Sequence, residues 1–484
     1  MSPTGPLSTT SNRWNARLWG VLLTVSTVIG LDALDVSMVG VALPSIRTDL
    51  GLSTSALQWV VSGYVLGYGG LLLLGGRAAD LLGRRRVFLV AVSVFALASL
   101  LGGLVDSGAL LIASRFVKGL AAAFTAPAAL SIITTTFKEG PARNRAISIF
   151  AVFGASGYSA GLVLSGLLTE VGWRWTFLLP VPIALAALAF GSRFIPAYQA
   201  ERSGGYDLPG AVTGALGALL LVFAVVEAPQ IGWGAPRTLI SFAAAAALLA
   251  AFVIIEKRSR HPLLRLGILR SGPLARANLG GVLFFGPYIG FQFVVMLYLQ
   301  SVLHWSALQT ALGFLPMALI VAVSSPRIEP LIERAGTSRA ILGGVVAHVA
   351  GYLLFLRVDE HSGYFGSVFP SMVLLGIGFT LGFAALNIQA TAGIADDEQG
   401  LAGGLLNTSL QVGGAIGLAI TTAVLTANGG QDASAAALLT GLRPALTVVS
   451  GIAALGLLIA LSGIRARRAP EPSTLPAVSA DELV

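Results

Sequence analysis

Fourteen apolar stretches, each about twenty residues long, constrain this chain more than any other feature. An α-helix of about 20 apolar residues crosses the hydrocarbon core of a bilayer, so each stretch is long enough to span it. Hydrophobic residues make up 55% of the chain and charged residues 11%, where soluble domains have about 25% charged residues. We therefore predict an all-α polytopic membrane protein with spans at 18–44, 54–75, 87–106, 109–135, 144–169, 173–195, 209–227, 237–256, 274–300, 306–325, 339–357, 364–394, 400–427 and 441–463.

The net charge of +8 reflects an uneven distribution of basic residues between the two sides of the predicted bundle. With a cytoplasmic N-terminus, 23 of the 30 Lys and Arg residues fall on the inner side, five on the outer side and two within the membrane. This is the positive-inside bias, and it predicts that both termini are cytoplasmic. It accounts for the basic charge without a nucleic-acid partner. The excess of Arg over Lys is typical of a GC-rich bacterial genome, so we expect a bacterial inner membrane.

The sequence contains no pattern that predicts catalysis or a resident cofactor. It has no cysteine, and its four histidines are scattered without metal-ligand spacing. It has no phosphate-binding P-loop, so ATP is not the expected energy source. We expect a protein that is not an enzyme and holds no metal or cofactor.

Two loops indicate an internal duplication. Residues Gly76–Arg86 read GRAADLLGRRR and residues Glu329–Arg339 read EPLIERAGTSR, and a shift of roughly 250 residues superimposes them. Two six-helix repeats with two inserted helices are therefore expected, which is a transporter architecture with its site between the halves. The predicted parts are an N-terminal tail (1–17), a first bundle (18–200), two inserted helices (201–260), a second bundle (261–465) and a disordered tail (466–484).

Four charged residues interrupt the apolar spans of the first repeat. Asp32 and Asp35 lie in the first span, and Arg115 and Lys118 lie in the fourth. Each pair has i, i+3 spacing and therefore shares one face of its helix. Charges at this depth cost several kcal/mol unless they are compensated, so they predict an ion or substrate pathway.

Four motifs make the sequence similar to the major facilitator superfamily, in its fourteen-helix drug:proton antiporter branch. Residues Leu34–Pro44 (LDVSMVGVALP) resemble that branch's LDxTxVNVALP, and Gly76–Arg86 resembles GxLaDrxGrR. RFVKG at Arg115–Gly119 stands where RxxQG is usual, and Gly400–Gly417 (GLAGGLLNTSLQVGGAIG) fits the branch closely. The resemblance covers nearly the whole chain and implies two six-helix bundles plus two inserted helices.

One motif departs from the branch. The fifth helix has GYSAGLVLSG at Gly157–Gly166, where GxxxGPxxGG is associated with exporters. Leu162 and Ser165 replace the proline and one glycine. The direction of transport is therefore left open by this motif, whereas the fold is not affected.

The resemblance assigns a conformational latch to the loop after the second helix. Its residues are Gly76, Asp80, Gly83, Arg84 and Arg85. Asp80 is expected near the start of the third helix, where a carboxylate meets the positive end of the helix dipole. The arginines are expected to pair with acids of the other bundle. The alternative is that they only determine topology.

For proton coupling, we predict that Asp35 and Arg115 form a standing ion pair and that Asp32 gains and loses the proton. Lys118 is expected either to neutralise Asp32 or to present a cation to an anionic substrate. The alternative is a permanent four-charge cluster that only holds the two helices together.

Polar and aromatic residues at similar depth are candidates for the substrate cavity. The predicted substrate-binding residues are Asp32, Lys118, Tyr64, Tyr68, Phe291, Gln292, Asn387, Asn407 and Gln411. The polar members could instead hydrogen-bond between helices.

The resemblance and the intramembrane charges together predict a monomeric, proton-coupled secondary transporter. We expect it to export amphipathic drugs or a secondary metabolite by alternating access. Its expected partners are a small molecule, protons and the lipid bilayer. The first alternative is a carrier for an anionic lipid, fatty acid or acidic natural product that uses Lys118. A remote alternative is a non-transporting membrane sensor, which would normally need a large soluble domain.

Overall fold

The computed structural model describes residues 14–137, 140–196, 207–259, 266–324, 327–394, 398–430 and 435–466. Within them the secondary structure is helical, and residues 1–13 and 467–484 of the predicted tails lie outside this part. The helices are α1 Ala16–Leu50, α2 Thr54–Leu82, α3 Arg84–Leu104, α4 Gly108–Thr136, α5 Pro141–Val171, α6 Trp175–Leu178, α7 Pro180–Phe194, α8 Leu208–Ile231, α9 Pro236–Arg258, α10 Gly272–Leu297, α11 Ala307–Ser324, α12 Glu329–Ala335, α13 Thr337–Phe355, α14 Phe369–Thr391, α15 Gln399–Leu425 and α16 Ala435–Ala466.

Thirteen helical segments of the described chain are long and apolar enough to cross a membrane. The predicted second span falls on α2, which is not one of the thirteen but has 29 residues, long enough to cross a bilayer. The predicted sixth span covers α6 and α7, and Leu179 joins them with helical φ and ψ angles, so that Trp175–Phe194 is one of the thirteen segments. The all-helical prediction is therefore confirmed.

In each bundle, two helices pack closely against each other at a pair of glycines. In the first bundle, a Cβ atom added to Gly157 of α5 would lie 2.2 Å from the carbonyl oxygen of Gly30 in α1. In the second bundle, a Cβ atom added to Gly417 of α15 would lie 2.2 Å from the carbonyl oxygen of Gly286 in α10. The helices touch backbone to backbone because these positions carry no side chain. The pairs α1–α5 and α10–α15 correspond to each other in the predicted duplication.

The two repeat loops share a backbone conformation but differ from the predicted structure in two ways. Gly83 and Gly336 have φ angles of 94° and 85°, which favour glycine. Asp80 lies in the last turn of α2 and not near the start of α3, because α2 continues to Leu82. In the second repeat the predicted loop contains the short helix α12.

The bundle has two ends, which we name by their turns. The Gly51 face carries the turns at Gly51 and Gly172, and the Gly83 face carries those at Gly83 and Gly336. The chain alternates between the faces, so that α1 begins and α16 ends on the Gly83 face. At the Gly51 face one apolar core contains residues of both bundles. Towards the Gly83 face the first and second bundles have separate cores.

The inserted helices α8 and α9 lie beside the junction between the bundles. Val222 and Val226 of α8 share an apolar cluster with Leu66 of α2 and Ala419 of α15. A Cβ atom added to Gly70 of α2 would lie 2.5 Å from a methyl group of Leu219. Helix α8 therefore contacts both bundles and covers the α2–α15 junction.

Candidate functional site

The packing of α1 against α4 brings the predicted intramembrane charges together. Arg115 and Lys118 both donate to the carboxylate of Asp35, one to each oxygen. Asp35 and Lys118 are fully buried, and Arg115 is 2% exposed. The spacing of three residues places both cations on the face of α4 that meets α1. Asp35 is therefore a shared counter-ion for two cations, and the predicted Asp35–Arg115 pair is present.

Lys118 points into the interior of the first bundle. Its Nζ donates to Ser99 Oγ at 3.0 Å, and this hydroxyl donates to the carbonyl oxygen of Phe177 at 2.6 Å. The same Nζ lies 4.7 Å from the ring centre of Phe95 and 5.2 Å from that of Phe177. Aromatic faces attract a cation, so these contacts complete its surroundings.

The arrangement gives Lys118 a direct partner that the sequence analysis did not name. Its ammonium group forms an ion pair with Asp35, and its neutralisation of Asp32 stays a prediction. An anionic substrate would have to displace Asp35 and Ser99 to reach it in this conformation.

Arg115 is held by three groups on two helices. Besides Asp35, its Nε donates to the carbonyl oxygen of Val60 at 3.1 Å, and its guanidinium carbon lies 4.7 Å from the ring centre of Tyr64. The α2 backbone can come this close because the next turn of α4 carries Gly119, where a Cβ atom would lie 2.1 Å from the carbonyl oxygen of Tyr64. Arg115 therefore links α1, α2 and α4.

Asp32 has different surroundings from Asp35. Its Oδ2 accepts a hydrogen bond of 2.8 Å from the hydroxyl of Thr125. Its Oδ1 is buried and has no hydrogen-bond partner in the described part of the chain. An ionised carboxylate held by one hydroxyl carries a charge that its neighbours satisfy incompletely. Asp32 is thus the acid with capacity to take a proton or a cation.

The position of Asp32 on α1 relates it to the junction between bundles. Asp32, Val36 and Gly40 follow i, i+4 spacing and share one face of the helix. Gly40 faces Met296 of α10, whose methyl group would lie 3.6 Å from an added Cβ atom. Val36 is 36% exposed and Asp32 is 6% exposed. This face of α1 therefore reaches the second bundle at Gly40, whereas Asp32 itself contacts Thr125 of α4 in the first bundle.

Gln292 of the second bundle is engaged with two tyrosines that the sequence analysis did not select. Its Nε2 donates to Tyr158 Oη at 2.9 Å and to Tyr288 Oη at 3.1 Å. Tyr158 belongs to α5, so its hydrogen bond joins the bundles, whereas Tyr288 lies on α10 with Gln292. The only sequence signal for Tyr158 was its position between Gly157 and Gly161 in the altered α5 motif.

The other predicted substrate-binding residues are dispersed. Phe291 is fully buried and packs on Tyr352, with ring centres 4.7 Å apart. Asn387 and Asn407 donate to carbonyl oxygens one turn earlier in their own helices. Tyr68 stacks on Tyr64, and Gln411 meets Gly69 at the α2–α15 junction. Of the nine predicted residues, Asp32, Lys118, Tyr64 and Tyr68 gather around the charges.

Two residues of the predicted latch, Gly76 and Arg85, have contacts within the first bundle. The guanidinium of Arg85 donates to the carbonyl oxygen of Ser192 in α7, and not to an acid of the second bundle. A Cβ atom added to Gly76 would lie 3.7 Å from Pro127 of α4. The side chain of Asp80 lies outside the described part of the structure, and the latching role of Arg84 stays a prediction.

Comparison with known proteins places the chain in a family. The family description "Major Facilitator Superfamily" matches residues 25–418. The chain is 37% identical over 419 residues to the puromycin resistance protein pur8 of Streptomyces alboniger, covering 85% of this chain and 82% of that protein. It is 37% identical over 428 residues to the cephamycin export protein CmcT of Amycolatopsis lactamdurans, with 87% of each covered.

A solved structure supports the same fold. The POT family transporter PepTSo matches with a TM-score of 0.69 and 18% sequence identity, covering 94% of this chain and 98% of that one. The helical spans, the paired bundles and these relatives agree with one another. The chain belongs to the Major Facilitator Superfamily and is a multi-pass membrane transporter, not an enzyme, related to antibiotic and drug exporters.

Proposed function

We propose that this protein is a proton-coupled exporter of small amphipathic drugs or secondary metabolites. The observation that carries the proposal is the contrast between two acids one turn apart on α1. Asp35 is paired with two cations, whereas Asp32 has one hydroxyl donor and one buried oxygen that has no hydrogen-bond partner among the described residues. Asp32 is therefore the acid that we expect to exchange its partner during transport.

The exchange would couple the two fluxes at one carboxyl group. A proton on Asp32 neutralises the acid, and a cationic or polar group of the substrate can do so in its place. Binding of the substrate to ionised Asp32 and binding of a proton are therefore mutually exclusive. At a membrane potential of ~100 mV, each proton that moves inward supplies about 2.3 kcal/mol, before any pH gradient is counted.

The arrangement of the bundles is compatible with alternating access. They share a core at the Gly51 face and have separate cores towards the Gly83 face. The positive-inside bias favours a cytoplasmic Gly83 face, and with it a cytoplasmic start of α1 and end of α16. The conformation described would then be the one that receives substrate from inside the cell, in a bacterial inner membrane.

The direction of transport rests on the relatives. One is named for puromycin resistance and another for cephamycin export. Export of a small molecule accounts for both names, and the altered α5 motif does not contradict it. We propose no anionic substrate, because Asp35 and Ser99 already engage Lys118.

The test is transport in proteoliposomes with an imposed pH gradient, using ethidium as a cationic dye and benzylpenicillin as an acidic antibiotic. We compare the wild type, Asp32→Asn and the control Asp106→Asn. The control removes an acid that is 85% exposed and bonded to Arg174, far from the intramembrane charges. We expect gradient-driven ethidium movement in the wild type and control, with loss in Asp32→Asn at equal protein incorporation.

Two results would overturn the proposal. Gradient-driven exchange that persists in Asp32→Asn would remove Asp32 from the coupling step. Movement of benzylpenicillin alone would favour the alternative of an anionic substrate that uses Lys118.

A further inference from the structure

We infer that Lys118 sets the charge selectivity of the transport site, so that it accepts substrates with one positive charge and rejects those with two. The inference rests on the proposed function, because it concerns what can replace the proton on Asp32. It assigns Lys118 a role in specificity without contact between Lys118 and the substrate.

The starting point is a count of charges. Asp35 is one carboxylate, but it is shared by two cations, Arg115 and Lys118. This group of three residues therefore carries one excess positive charge. Asp32 lies one turn away on α1 and balances that excess when it is ionised. The four groups together are neutral only in that state.

The excess charge of Lys118 cannot be dispersed into water. Its side chain is fully buried, with Ser99 and the rings of Phe95 and Phe177 around it. In such a low-dielectric interior, charges act on one another much more strongly than they do in water. Asp32 and Lys118 act on each other, Asp35 of α1 acts on both, and Arg115 of α4 acts on Lys118. The tyrosines that face these charges are Tyr64 and Tyr68 of α2.

The charge count ranks the possible occupants of the site. A proton on Asp32 leaves the cluster with one positive charge, and a singly charged cation beside ionised Asp32 leaves the same total. A proton and a monocation can therefore replace each other without a change in buried charge. A dication would raise the total to two positive charges, and each uncompensated buried charge is costly. An anion would be balanced only if it entered with a proton on Asp32.

Removal of the Lys118 charge should make a dication as acceptable to the site as a monocation is in the wild type. In Lys118→Gln, the cluster with ionised Asp32 carries one negative charge, so a dication leaves the same total that a monocation leaves in the wild type. The amide can still hydrogen-bond to Asp35 and Ser99. The substitution does not enlarge the space beside Asp32, because Lys118 points towards α3 and α6.

The experiment uses ethidium and propidium, which share one aromatic ring system but carry one and two positive charges. We measure the ratio of kcat/KM for propidium to that for ethidium in proteoliposomes, and the corresponding binding ratio by fluorescence polarisation in detergent. We expect a ratio of at most about 0.1 in the wild type, which corresponds to about 1.4 kcal/mol. The ratio should rise about tenfold in Lys118→Gln and stay low in the charge-retaining control Lys118→Arg.

Each result decides the inference. Propidium handled as well as ethidium by the wild type would overturn it without any variant, even if Lys118→Gln does not fold. An unchanged ratio in folded Lys118→Gln, or an equal rise in Lys118→Arg, would also overturn it. Failure of the proposed function looks different, because wild-type protein would then bind both dyes in the expected ratio but move neither in response to a pH gradient.

Discussion

Substitution of Asp35 by Asn should destabilise the protein much more than the same substitution of Asp32. Asp35 is the carboxylate partner of both Arg115 and Lys118, which are 2% and 0% exposed. Removal of one partner from a buried ion pair typically costs about 3–5 kcal/mol, because the remaining charge is left uncompensated. We expect a loss in this range for Asp35→Asn.

Asp32→Asn is the matched comparison. The amide oxygen can still accept the hydrogen bond from Thr125, and the ion pairs of Asp35 with Arg115 and Lys118 stay intact. The substitution leaves the same single excess positive charge as a proton on Asp32, so the free energy of unfolding should fall by less than the about 3–5 kcal/mol expected for Asp35→Asn. Loss of proton-driven transport in this variant would then reflect the chemistry of Asp32 and not a damaged fold.

The assay is thermal and denaturant-induced unfolding of purified protein in detergent, followed by tryptophan fluorescence at neutral pH. In the double variant Asp35→Asn/Lys118→Met, one unpaired cation is removed, and we expect at least about 1 kcal/mol of the loss to be recovered. The reasoning is refuted if Asp35→Asn and Asp32→Asn unfold alike. It is also refuted if the addition of Lys118→Met to Asp35→Asn lowers the free energy of unfolding further instead of restoring part of it.

Two further predictions concern helix packing. Gly157→Ala should lower the free energy of unfolding by about 1–3 kcal/mol, because its Cβ atom would meet the backbone of Gly30 at 2.2 Å. Gly154→Ala, whose nearest contact would be 3.9 Å away, should be neutral or stabilising in the same unfolding assay, and equal losses would contradict the packing argument. Tyr158→Phe should weaken the junction between the bundles by about 1 kcal/mol, since it removes the phenolic partner of Gln292. In this cysteine-free chain, a disulfide between Glu170→Cys and Leu308→Cys should then form in lower yield, whereas an unchanged yield would exclude that effect.

The length and polarity of the apolar stretches were sufficient to predict the class of protein and almost every helix. This is possible because a helix in a bilayer must satisfy its backbone hydrogen bonds internally, so that span length is a local property of the sequence. Helix α12 shows the limit of that approach. Residues Glu329–Arg339 were predicted as a loop between spans, whereas Glu329–Ala335 form a short helix in the structure.

The candidate site was predictable in its members but not in its pairing. Asp32, Asp35, Arg115 and Lys118 stand out in the sequence because charge is costly in an apolar span. The same pattern left the partner of Lys118 open between a second acid and a substrate. Helical spacing places side chains on a face but does not say which neighbouring helix that face meets.

The many membrane crossings and the four charges within the first half of the chain can be read from the sequence alone. The packing of α1 against α4 is needed to see that Asp35 pairs with two cations, whereas Asp32 has an oxygen without a hydrogen-bond partner in the described part of the chain. The contact of Tyr158 with Gln292 across the junction of the bundles likewise appears only in the folded structure. Hydropathy is a property of local sequence, whereas the partner of a buried charge depends on helices that approach each other from distant parts of the chain.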